Sequence, residues 1–369
     1  MKLDGLRVID LSQFLPGPYL TLALADHGAE VIKVEPPAGD AGRGIGLSDG
    51  PQTVFFRNLN RGKKSVVLNL KDKQDHASLL RLCESADVFV ESFRPGVVER
   101  LGVGYEHIAA RNPGIVYCSI SAFGRDGPYR NHPAHDLAIE AMAGVLSMTL
   151  GDDGRPAIPG VPMADIAAGL QGLAGVLMAL LRRQQTGRGD YVEVAMFDAL
   201  LAATPNILGP VFAEDRAPNP KHERTTGGGA FYRIYDTKDG RQIVLAGQEL
   251  HFVERVLNAL DRADLIELCE RGPGPHQQPV AECLAAFFAT QTLEEALEWL
   301  ASLDVCFAPV NSLLEATQDA NVAARTLLLV DAEGRKHLAP PIRFAEEPAQ
   351  PDLRAPILGH HNSELLESE

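Results

Sequence analysis

Through residue 200 the chain alternates short apolar runs with helical patterns. LRVIDL (residues 6–11) and EVIKVE (30–35) flank LPGPYLTLALADHGAE (15–30), with proline near its start and Gly28 at its end. This opening predicts a strand, a helix and a second, parallel strand. SVVLNL (65–70), a helix over residues 75–84, DVFVESF (87–93) and GIVYCSI (114–120) continue the alternation. The pattern predicts an α/β class, a Rossmann-like large domain with a mostly parallel sheet. Ligands of such sheets lie beyond the carboxyl ends of the strands.

Two apolar helical segments follow, one after His135 and one after Asp165. The second, over residues 166–181, is interrupted by Gly169, Gln171 and Gly172 and closed by Arg182 and Arg183. It is too short and too broken to span a bilayer and reads as a buried core helix. Residues 205–224 are rich in proline and charge and read as a linker. TTGGGAFYRIYDTKDGRQIVLAG (225–247) predicts an antiparallel hairpin, and helical patterns over 251–260 and 293–303 complete a smaller α+β domain. The irregular, proline-rich tail reads as a chain travelling back over the first domain. The expected organisation is a large domain (1–200), a linker (201–224), a small domain (225–325) and a return segment packing on the large domain (326–369).

Composition narrows the function classes. A net charge of −15 argues against a nucleic-acid binder. Five cysteines without CxxC spacing indicate neither a disulfide framework nor a zinc site, and no secretory signal opens the chain, so a cytoplasmic protein without a membrane partner is expected. The first turn, SQFLPGP, lacks GxGxxG, which disfavours a nicotinamide dehydrogenase even though Glu35 stands where a ribose-binding acid would.

The chemistry is expected between residues 131 and 170. His135 and Asp165 each precede an apolar helix, where backbone N–H groups and the macrodipole favour negative charge. Asp165 reads as an N-cap that stays ionised, fit to act as base or nucleophile, and Asp136 reads as the cap of its own helix. His135 is a candidate acid or base, because histidine as a residue type changes charge near neutral pH. Lys63 and Arg94 are possible phosphate partners. The paired His360 and His361 point apart on a regular backbone and are discounted as a metal site.

The segments GLRVIDLSQFLPGPYLTLALADHGAEVIKVE, NRGKKSVVLNLK, ADVFVESFRPGVVERLGVGYE, ISAFGRDGPY, HDLAIEAMAGVLS, TGRGDYVEVAMFDALLA and APILGHHNSELL, in this order, resemble the class III (CaiB/BaiF) CoA-transferases and α-methylacyl-CoA racemases over nearly the whole chain. The resemblance implies an interlocked homodimer and an acyl-CoA substrate. Coenzyme A enters as part of that substrate, with no prosthetic group and no metal. Its phosphates would lie near Lys33, Arg43, Lys63, Lys64 and Arg94, and a loop of Gly227, Gly228 and Gly229 would close over the intermediate. In transferases the residue matching Asp165 attacks the thioester. In racemases a base and an acid on opposite faces exchange the α-proton of a 2-methylacyl-CoA. His135, and Glu249 as an acid supporting Asp165 from the partner chain, place the racemase first, by 1,1-proton transfer between His135 and Asp165. CoA transfer through a covalent Asp165 intermediate is the alternative.

Overall fold

The computed structural model describes residues 1–151 and 153–366. The chain forms two compact units, the first comprising Met1–Ala143, Gly160–Ala203 and the chain from Ala320 onward, the second Gly144–Pro159 and Thr204–Asp319. The division differs from the expected one in three places. Residues 144–159 fall in the second unit, the stretch expected as a linker carries the short helix Gly209–Glu214 and falls there from Thr204 onward, and residues 320–325, expected in the small domain, belong to the first unit.

The first unit is built on a parallel sheet of β1 (Arg7–Asp10), β2 (Glu30–Glu35), β3 (Lys64–Val67), β4 (Val88–Glu91), β5 (Val116–Ser121) and β6 (Asp190–Ala195), in the order β3-β2-β1-β4-β5-β6. Val8, Ile9, Val31, Ile32, Val88, Phe89 and Val116 are all buried, as strands covered on both faces require. The direction of winding reverses between β1 and β4, where Ile9 lies opposite Phe89. The loops after these strands therefore open the crevice at which such sheets bind ligands. They are tied together, since the Gln13 N–H donates to Ser92 Oγ at 3.0 Å. Phe14, in the first of these loops, holds the left-handed conformation (φ 61°) just before the Pro16–Asp26 helix.

The longest helix, Met163–Thr186, is rich in Ala, Leu and Gln, which favour helix, and ends at Gly187 in the left-handed conformation. It packs on the Pro16–Asp26 helix and on β5 and β6. Two glycines permit the close approach. A Cβ at Gly169 would stand 2.8 Å from the Pro16 carbonyl oxygen, and one at Gly172 would stand 2.7 Å from Leu20 Cδ1. The expectation of a fully buried core helix is corrected, because its other side leaves Leu170 at 50%, Met178 at 69% and Leu181 at 63% exposure. By length and composition this helix also meets the measure of a membrane span, but its inner face is committed to the sheet.

From Ala320 the chain forms the short helix Ala320–Ala324 and then the hairpin of β10 (Leu328–Val330) and β11 (Lys336–Leu338), and the tail covers the open edge at β3. The His361 N–H donates to the Ser65 carbonyl (3.0 Å), His361 Nδ1 accepts from the Ser65 N–H (3.1 Å) and Asn362 Oδ1 accepts from the Val67 N–H (2.8 Å).

The second unit holds the antiparallel sheet of β7 (Tyr232–Asp236), β8 (Gln242–Ala246) and β9 (Phe307–Pro309). Its core joins Tyr235, Ile243 and Leu245 to Val253, Leu284, Phe288 and Leu300 from the surrounding helices.

A Gly169→Val substitution is expected to lower stability by about 1–3 kcal/mol through overpacking, measured as the urea-unfolding midpoint. An unchanged midpoint would show that the two helices have room to separate.

Candidate active site

Asp136 opens the short helix Asp136–Met142, and its carboxylate turns away from that helix to the start of the long one. Asp136 Oδ1 accepts the Ala164 N–H (2.8 Å) and the Asp165 N–H (3.0 Å), while Glu140 Oε1 accepts the Met163 N–H (3.0 Å). Two carboxylates from one helix thus cap the free N–H groups of another. This corrects two expectations. Asp136 caps the long helix rather than its own, and Asp165, which lies in the first turn beyond the cap position Pro162, does not cap at all.

Asp165 consequently has the disadvantages of the place without its main benefit. The N–H groups are committed to its neighbours, and among the described residues no hydrogen bond to its carboxylate is found. Burial, with Asp136 and Glu140 beside it, pushes its pKa up to about 7. A carboxyl poised there holds a nucleophilic oxygen that is unencumbered, weakly solvated and ionised over half its population near neutral pH.

His135 occupies the cap position of the short helix through its backbone, and its exposed ring meets Phe14 edge-on, with centroids 5.7 Å apart. It lies next to the residue that binds the Asp165 N–H, so the two helix starts are joined although thirty positions separate His135 from Asp165. Glu249 precedes the Leu250–Ala259 helix of the second unit without a side-chain cap. In the same unit Gly227, Gly228 and Gly229 are held in place. Gly227 has φ 104°, the Arg233 guanidinium clasps its carbonyl at 2.6 and 3.1 Å, the Gly228 N–H donates to Glu223 O at 3.0 Å, and a Cβ at Gly228 would overlap the His222 carbonyl. The loop needs glycine for its conformation, a different matter from a flexible linker.

The five cations expected at the coenzyme A phosphates divide. Lys63 Nζ is fully enclosed, donating to Asp10 Oδ2 (3.1 Å), Thr21 Oγ1 (2.7 Å) and Asn60 Oδ1 (3.0 Å). Lys33 Nζ, also buried, binds Asp40 at 2.6 Å and the Ser12 carbonyl at 3.0 Å. Burial pulls Lys63 down to about 8 against the hold of Asp10. The same burial would raise Asp10, but Lys63 and Lys33 outweigh it and bring the carboxyl to about 2. Both lysines are therefore internal supports of the loop after β1, which corrects their placement on a phosphate-binding surface. Arg43 spends its fork on Glu35 (2.6 and 2.7 Å), and Lys64 pairs with Glu30 (2.8 Å) and Glu364 (2.5 Å). Glu35 also accepts from Ser65 and from the Asp40 N–H, so it is a structural hub rather than a ribose ligand.

Arg94 alone of the five carries no ion pair among the described residues. It lines a cavity of about 230 Å³ at the ends of β4 and β5, together with Arg125 and Arg130, two cations that sequence reasoning passed over. Their signal was the position of RDGPYR just beyond β5, where the sheet geometry places ligands. Glu91 also lines this cavity, and burial raises its carboxyl to about 7.

Residues 3–362 match CoA-transferase family III. The chain belongs to this family. An acetyl-CoA:oxalate CoA-transferase of Acetobacter aceti is 35% identical over 332 residues, covering 88% of this chain and 85% of that one. A succinyl-CoA:mesaconate CoA-transferase of Haloarcula marismortui is 33% identical over 381 residues, covering 99% and 96%. The fold is similar to that of a CaiB/BaiF family protein from Brucella suis, with a TM-score of 0.85 at 29% identity, covering 98% and 97% of the two chains. Both named enzymes are CoA-transferases, which favours the transferase alternative over the racemase placed first from sequence.

In this family III chain a Lys63→Ala change is expected to cost about 3–5 kcal/mol, because it leaves Asp10 buried without its counter-charge. Urea unfolding at pH 7 measures it, and a loss below about 1 kcal/mol, the range of an exposed pair, would refute the enclosed network.

Proposed function

We propose that the protein is a CoA-transferase that moves CoA between carboxylic acids, with Asp165 as the nucleophile. The observation that carries this reading is the Asp165 carboxylate itself, without a hydrogen bond among the described residues while Asp136 and Glu140 occupy the helix N–H groups around it.

The steps balance without a cofactor or a net proton. An Asp165 oxygen attacks the thioester carbon of the donor acyl-CoA, the C–S bond breaks and CoA leaves as thiolate, giving a mixed anhydride. The thiolate attacks the aspartyl carbonyl, forms a C–S bond and releases the donor acid as its carboxylate. The acceptor carboxylate then attacks the aspartyl-CoA thioester and expels the thiolate. Return of the thiolate to the acceptor carbonyl yields the new acyl-CoA and restores Asp165. Arg94, Arg125 and Arg130 are the cations proposed to meet the coenzyme A phosphates, since they share one cavity beyond β4 and β5 and Arg94 makes no ion pair among the described residues. Oxalate and mesaconate, the acids for which the two relatives are named, are the first acceptors to try.

Transfer from acetyl-CoA or succinyl-CoA to a labelled acceptor acid is the direct test, with hydroxylamine trapping at Asp165 read by peptide mass. An Asp165→Asn variant is expected to lose at least about 10³-fold in kcat. Because attack requires the ionised carboxyl and its pKa stands at about 7, kcat/KM for the donor should fall tenfold per pH unit below that value and level off above it. Exchange of the α-proton of a 2-methylacyl-CoA in deuterated water, with no transfer and no trapped adduct, would return the assignment to the racemase.

A homodimer is part of the proposal, supported by the apolar outer face of the Met163–Thr186 helix. The wild type is expected to run as a dimer in size-exclusion chromatography with light scattering, and a Met178→Glu, Leu181→Glu double variant as a monomer. A monomeric wild type, or a dimer that survives the double change, would remove this face from the assembly.

A further inference from the structure

The capping at the start of the long helix leaves one oxygen unaccounted for. Three N–H groups, those of Met163, Ala164 and Asp165, are received by Asp136 Oδ1 and Glu140 Oε1. Glu140 is 0% exposed, and its second oxygen, Oε2, meets neither a donor nor solvent. An ionised carboxylate with one oxygen sealed in this way is costly, and among the described residues no cation acts on it. The groups that face it are acidic. Asp136 stands one turn earlier on the same helix, within hydrogen-bonding reach, and Asp165 stands on the long helix. The Met196–Ala202 helix, which also packs on the Asp136–Met142 helix, has Asp198 as its one titratable residue, and that is exposed.

We infer that Glu140 is a positioning residue that carries a proton, donating its Oε2–H to the Asp136 carboxylate while its Oε1 caps the Met163 N–H. One proton resolves the problem at both ends. Glu140 becomes neutral and fully bonded, and Asp136 stays ionised to hold the Ala164 and Asp165 N–H groups. The two residues then form a rigid clamp that fixes the first turn of the long helix and, through it, the direction in which Asp165 presents its oxygen. Burial and the neighbouring Asp136 charge both raise the Glu140 carboxyl, in agreement with a protonated state. This rests on Asp165 being the nucleophile, and the clamp itself is a structural statement that holds apart from turnover.

Three variants test it. Glu140→Gln retains a carbonyl for Met163 and an N–H donor for Asp136. It is expected to keep kcat within about threefold and to leave the acid limb of kcat/KM where the wild type has it. Glu140→Leu removes both bonds and is expected to lower kcat by about 10²-fold, the effect of a small misplacement of the reacting group, with KM for the donor changed less than about twofold. Glu140→Asp, too short to reach both partners, should resemble the leucine variant.

If the glutamine variant is as damaged as the leucine variant, or its acid limb moves to lower pH, Glu140 is ionised in the wild type and the inference fails. Full activity in the leucine variant also overturns it. If the wild type transfers no CoA with any acceptor, infrared difference spectroscopy at pH 7 decides the matter without turnover. A protonated-carboxyl band lost in Glu140→Gln and retained in Asp165→Asn supports the clamp, and its absence from the wild type rejects it.

Discussion

The start of the Met163–Thr186 helix governs this protein. A helix this long exposes unpaired N–H groups at its first turn, and the chain satisfies them with Asp136 and Glu140 from a helix folded over it. The stabilisation of the helix start is thus separated from Asp165, the residue proposed as the nucleophile. Had Asp165 been its own cap, its carboxylate would have been engaged and its pKa held down, leaving it a poorer nucleophile. Because the capping is delegated, the same turn provides a fixed backbone and leaves the Asp165 carboxyl uncommitted to it.

Delegation has a cost that the rest of the fold must carry. Three carboxyl groups crowd one helix start, and burial together with the neighbouring Asp136 charge lifts Asp165 to about 7. Such local strain persists only where surrounding structure holds it. Here the long helix is pressed against the Pro16–Asp26 helix at Gly169 and Gly172, and the loop that leads into that helix is braced from beneath by Asp10, Lys63, Lys33 and Asp40. A buried ion network of this kind contributes little net stability but disfavours alternative loop positions, because each requires a buried charge to lose its partner.

Much of the scaffold was legible in the sequence. The alternation of apolar runs with a Pro-started, Gly-ended helix is a local property, and it became β1, the Pro16–Asp26 helix and β2. Asp165 was legible as a helix-start acid, but the residues that cap its helix were not, since Asp136 precedes Ala164 by 28 positions and Glu140 hides within an apolar helix pattern. Lys33 and Lys63 misled for the opposite reason. A lysine beside a strand end looks like a surface cation until the fold brings Asp40 to one and Asp10, Thr21 and Asn60 to the other. The domain division was misjudged at residues 144–159 because they directly continue a helical pattern of the first unit, and sequence patterns record local structure rather than the unit to which it is attached.

The contrast between Lys63 and Arg94 extends this logic to binding. Both are cations beside strands of one sheet, yet the first is sealed among acceptors supplied by its own chain while the second faces a cavity that Arg125, Arg130, Glu91, Glu99 and Asp126 also line, and makes no ion pair among the described residues. A phosphate gains most from a cation that has no internal partner to surrender, because breaking an existing buried pair offsets the new attraction. The internal pairing of a charge, rather than its position along the sequence, thus sorts the structural cations of this fold from those available to a ligand. By the same argument Glu91, raised to about 7 at the wall of the cavity, opposes an incoming phosphate when ionised and ceases to do so once protonated.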